Sequence, residues 1–60
     1  MRKFNVIFEV FGEQGEKEFR TVTVEAGNKK IAALRGMQAI NKLDGYSEKF
    51  KNVTRIEEVV

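Results

Sequence analysis

The chain has 60 residues, with 11 Lys plus Arg against 9 Asp plus Glu for a formal net charge of +2, and no His, Cys, Trp or Pro. One domain spanning residues 1–60 is the limit at this length, and because such a chain buries only about 60% of the surface it exposes when unfolded, its core must be efficient or shared with another molecule. The absence of His and Cys excludes thiolate and imidazole chemistry, the usual soft or borderline ligands of zinc, copper and iron, and any disulfide, so neither a metal site nor a cofactor is expected.

In chain order, Phe4, Val6, Phe8 and Val10 alternate with Lys3, Asn5, Ile7, Glu9 and Phe11. That period of two predicts a strand over residues 3–11 with one strongly apolar face. Gly12-Glu13-Gln14-Gly15-Glu16 predicts a short hairpin loop with Gly15 in the left-handed region. The loop sets a register that opposes Val6 to Val22 and Phe4 to Val24 in a second strand over 17–25. Asn28 is a good N-cap for a helix running to about Leu43, with Gly45 expected at the C′ position and Tyr46 folding back onto the last turn. Ala33, Leu34, Met37, Ile40 and Leu43 form the apolar stripe of that helix, flanked by the small residues Ala32, Gly36 and Ala39. Gly36 costs about 1 kcal/mol relative to Ala in a helix interior, which points to a close packing contact. From Asn52 to Val60 the chain is β-prone, but Val53, Ile56 and Val59 are three apart, a spacing that calls for a bulge or an edge position.

The expected fold class is α+β: a single ββαβ domain whose three-stranded sheet has the order 2-1-3, the most apolar strand central, with one helix packed on one face and a right-handed crossover. The other face is left open, and Ile7, Phe11, Phe19, Thr21 and Thr23 fall on it. Tyr46 and Phe50 are expected to seal the end of the core under the helix, base stacking being the other reading of that pair.

Function has to be read from charge and exposure. Glu9, Glu13, Glu16, Glu18 and Glu25 lie on the hairpin, where no second layer would close over a carboxylate to shift its pKa. No Gly-rich phosphate loop is followed by Lys-Ser or Lys-Thr. Neither an enzyme nor a small-molecule substrate is expected. Apolar runs of a few residues are far short of the ~20 needed to span a bilayer, so no membrane is expected either. Asn5 and Glu9 interrupt what Met1-Arg2-Lys3 would need to become a signal peptide, and an intact cytoplasmic product is expected. Charge is uneven: residues 27–56 carry seven basic groups against Asp44 and Glu48. The helix holds Lys29, Lys30, Arg35 and Lys42 with no acid, two of the lysines in the first turn, where the helix dipole disfavours them. Phosphate or an acidic protein surface would suit that face, and a merely solubilising role is the alternative.

The alternating Phe4-to-Val10 strand, the Thr-Val-Thr-Val-Glu-Ala run from Thr21 to Ala26, the Ala-rich helix and the closing Arg55-Ile56-Glu57-Glu58-Val59 together resemble the small ββαβ accessory proteins of bacteriophages and other mobile elements. The resemblance implies a stand-alone, non-catalytic protein that binds host or phage macromolecules, and assigns no individual residue. A designed chain is the other origin, against which Gly36 in mid-helix and the two first-turn lysines speak. The expected function is therefore that of a small cytoplasmic binding protein occupying a surface of a protein or nucleic-acid partner, the basic helix being its partner-binding surface. A homodimer is expected through the sheet, with Ile7, Phe11 and Phe19 as self-association residues, or through an exposed strand edge. The alternative is an assembly protein whose self-association is itself the function.

Overall fold

A computed structural model of the chain describes residues 2–60. Those residues form β1 (Arg2–Phe11), β2 (Lys17–Ala26), α1 (Lys29–Asn41) and β3 (Phe50–Val59). The sheet has the order β2-β1-β3, with β1 antiparallel to both neighbours, and the helix packs mostly against β2. This is the expected α+β arrangement. Among the described residues no helix is long and apolar enough to cross a membrane.

The alternation in β1 determines which side is core. Phe4, Val6 and Phe8 are 0% exposed and Val10 1%, and with Ala26, Ala32, Ile40 and Tyr46 they form the buried cluster. The hairpin closes as its glycines predict: Gly12 N–H donates to Glu16 C=O at 2.8 Å, Gly15 takes φ 85°, and Val6 opposes Val22 as Phe4 opposes Val24. Asn28 caps α1, its Oδ1 accepting from Ile31 N–H at 2.9 Å.

The helix packs along a different line from the large-residue stripe. Its buried residues are Ala32, Gly36 and Ile40, one turn apart, while Leu34 is 62% exposed and Leu43 40%. The reason is Gly36. A Cβ built there would lie 2.9 Å from Val6 Cβ, so the bare backbone rests on the Val6 side chain and the small-residue flank becomes the contact seam. Leu34 is thereby turned aside.

At its C-terminus α1 stops at Asn41, two residues short of expectation. Lys42 N–H and Leu43 N–H bond to Ala39 and Ile40 carbonyls three residues back, which tightens the last turn and ends the helix. Gly45, at φ 81°, therefore sits in the following turn and not at C′. Thirteen helical residues rise about 20 Å against about 33 Å for ten strand residues, so the helix is shorter than the sheet it covers. Tyr46 from the 42–49 segment is buried against the same core, its hydroxyl donating to Glu18 Oε1 at 3.0 Å. Lys51 Nζ pins that segment from beneath, donating to the carbonyls of Tyr46 at 2.8 Å and Lys49 at 2.9 Å.

β3 begins at Phe50, two residues earlier than its β-prone run suggests, and the register of its pairing with β1 shifts between Ile7 and Phe8. Arg55 opposes Ile7 and Val53 opposes Phe8, leaving Thr54 as the extra residue, its Oγ1 donating to Ile7 C=O at 3.1 Å. This bulge explains the spacing of three: Val53 and Ile56 both reach the helix side, whereas Val59, opposite Lys3, falls on the other.

Candidate binding surface

Strand registry assembles the uncovered face residue by residue. From β1 it takes Lys3, Asn5, Ile7, Glu9 and Phe11; from β2 their partners Glu25, Thr23, Thr21, Phe19 and Lys17; from β3 Val59, Glu57, Arg55, Asn52 and Phe50. The three predicted residues Ile7, Phe11 and Phe19 do share this face, with Phe19 60% exposed and the other two half-buried by their neighbours.

Phe50 departs from expectation. It does not seal the core beside Tyr46 but lies on the open face, 70% exposed, with its ring centroid 6.0 Å from that of Phe11. Tyr46 alone takes the sealing role. Its ring has Arg20 Cζ 5.2 Å and Lys49 Nζ 4.9 Å from the centroid, so cations flank it on the solvent side. Nothing local marks Phe50 as outward, because its side depends on the point at which β3 joins β1.

The face is apolar towards the hairpin and polar at the far end. Ile7, Phe11, Phe19 and Phe50 occupy the first half; Asn5 and Thr23 bond across the second at 2.7 Å. Its charges cancel locally. Lys17 Nζ lies 3.4 Å from Glu9 and 5.8 Å from the Phe19 centroid, and Arg55 Nε donates to Glu57 at 2.8 Å. Three cations and three carboxylates make it neutral, with no row of basic groups to follow a phosphate backbone. An open cleft of about 490 Å³ adjoins the Phe11–Phe50 pair, lined also by Glu13, Glu16, Glu48 and Lys49.

The basic residues of the helix are elsewhere. Lys29, Lys30 and Arg35 of α1, and Lys42, which falls just past the end of the helix as its C-cap, are exposed on the opposite side of the molecule. They are not equivalent: Arg35 Nη1 donates to Glu25 C=O at 2.7 Å and so ties the helix to β2. Lys29 adds to the positive field that, after the Arg2 hydrogen bond, holds the Glu58 carboxyl below its usual range. The helix cations and the aromatic face therefore form two separate surfaces. The chain matches no family model, no curated protein and no solved structure.

Proposed function

We propose that this is a small, cytoplasmic, non-catalytic binding protein, acting as a homodimer, that occupies a surface of a protein partner with its uncovered sheet face. The observation that carries the reading is the exposure of Phe19 and Phe50, at 60% and 70%, on a face of balanced charge where Lys17 pairs with Glu9 and Arg55 with Glu57. Exposed aromatic surface of this kind suits a desolvated protein contact, in which a few buried aromatics dominate affinity. Neutrality argues against single-stranded nucleic acid, which needs cations along the backbone beside the stacking rings. The cations of α1 serve as a steering surface that raises the rate of encounter with an acidic partner and contributes little to its residence time. This agrees with what the resemblance to phage accessory proteins implies.

The test is capture of a partner from lysate of the organism that carries the chain, with and without nuclease. Capture that survives nuclease, weakens about tenfold or more with Phe50→Asp and persists when Lys29, Lys30, Arg35 and Lys42 are all changed to Gln supports the reading. Loss of capture on nuclease treatment, or indifference to Phe50→Asp, overturns it.

A further inference from the structure

The two edges of the sheet differ. β3 carries a bulge at Thr54, which breaks its ladder and blunts that edge. β2 pairs with β1 in unbroken register over ten residues, and its outer edge bears no strand among the described residues. Which of its backbone groups face outward follows from the hairpin closure. Gly12 bonds to Glu16, so the bonded pairs alternate from there through Val10 with Glu18, Phe8 with Arg20 and Val6 with Val22. Lys17, Phe19, Thr21, Thr23 and Glu25 consequently aim their N–H and C=O groups away from β1. The Glu25 carbonyl, which accepts from Arg35, is an independent sign of that direction.

We infer that this edge pairs antiparallel with the same edge of a second copy, in the register that sets Phe19 opposite Phe19, giving a continuous six-stranded sheet. Charge order selects both the occupant and the register. Glu18 and Arg20 flank Phe19 on the helix side, so a two-fold axis at Phe19 sets each Glu18 against the second copy's Arg20, twice over, a favourable cross-strand pairing. Outward groups meet only if the strands slide by two residues at a time. Sliding one way centres the axis on Arg20 and sets it against itself; sliding the other way sets Glu18 against itself. A slide of four brings Lys17 opposite Glu25, whose carbonyl Arg35 already holds. The Phe19 register leaves that cap intact and closes three bonded pairs, Lys17 with Thr21, Phe19 with Phe19 and Thr21 with Lys17, for about six hydrogen bonds. Glu18 already accepts from Tyr46, and Arg20 lies by its ring, but a carboxylate with two oxygens and a guanidinium with five donors retain capacity for the second copy.

The inference rests on the homodimer of the reading above and not on its partner, so the purified chain tests it alone. Sedimentation equilibrium from micromolar to about millimolar concentration should give twice the 6.9 kDa chain mass. Thr21→Pro removes one outward N–H from an edge position that tolerates proline, and should give folded monomers by circular dichroism. Arg20→Glu should raise the dimer dissociation constant on the order of tenfold, and Glu18→Arg combined with Arg20→Glu should restore it. Phe50→Asp, on the far strand, should leave the mass doubled. A wild-type mass of 6.9 kDa throughout overturns both the homodimer and its interface. A doubled mass that survives Arg20→Glu and Thr21→Pro, or that is lost in Phe50→Asp, overturns the edge and assigns the contact to the open face.

Discussion

The two faces of β1 begin from similar residues and end differently. Phe4, Val6, Phe8 and Val10 point one way and are sealed to 1% exposure or less; Ile7 and Phe11, interleaved with them, point the other way and stay half-buried. What separates them is a single helix and the turn after it, since both faces use the same backbone and the same ladder. A three-stranded sheet with one helix has enough covering structure for one side. The apolar residues on the other side stay partly in water, Phe19 and Phe50 most of all.

The covered side is the more vulnerable to substitution. Phe8→Ala deletes a ring at 0% exposure and should cost about 3–5 kcal/mol, comparable with the whole stability of a domain this small, so denaturant titration should find it largely unfolded. Phe50→Ala, the same change on the open face, should cost at most about 1 kcal/mol, mainly the tilted contact with Phe11. A similar loss for both would mean that the faces are not distinct.

Gly36→Ala acts at the helix seam. Helix propensity favours Ala by about 1 kcal/mol, but the new Cβ meets Val6 Cβ, which cannot swing away, and overpacking of that kind costs about 1–3 kcal/mol. A net loss of up to about 2 kcal/mol is expected in urea; a gain would show that the helix can lift off the sheet cheaply.

The smallest effect belongs to the rim of the covered face. Arg2 grips Glu58 with Nε at 2.8 Å and Nη2 at 2.7 Å and reaches Gly27 C=O at 3.1 Å, joining the start of β1 to the end of β3 and to the turn before α1. The Arg2 hydrogen bond is the main cause that depresses the Glu58 pKa; desolvation opposes it, and the charges of Arg2 and Lys29 add weaker depression. The contribution is therefore fully present above the unfolded carboxylate pKa and fades as pH falls through the lower folded value. Stability curves of wild type and Glu58→Gln should converge as pH falls from 7 towards 3.

Most of the covered side is written in local signals: strict alternation in β1, two glycines around a short loop, an Asn before an apolar helix, and a glycine where a helix should prefer alanine. Each acts over a few residues, and each appears where expected. The open face is less legible. Ile7, Phe11 and Phe19 follow from the hairpin register, but the side taken by Phe50 depends on where β3 meets β1 and on a bulge at Thr54 whose position no neighbouring residue announces. Leu34 misleads for a related reason: hydrophobicity ranks it as core, but Gly36 decides how near the helix comes and which residues lie along the seam.

Gly36 also couples two distant positions in any lineage of this chain. Its missing Cβ would fall 2.9 to 3.0 Å from all three side-chain carbons of Val6, so the two residues share one volume. A descendant that gains a methyl group at position 36 must give up about as much at position 6, and one that enlarges position 6 is held to glycine at 36. The pair would drift together, thirty residues apart in the chain.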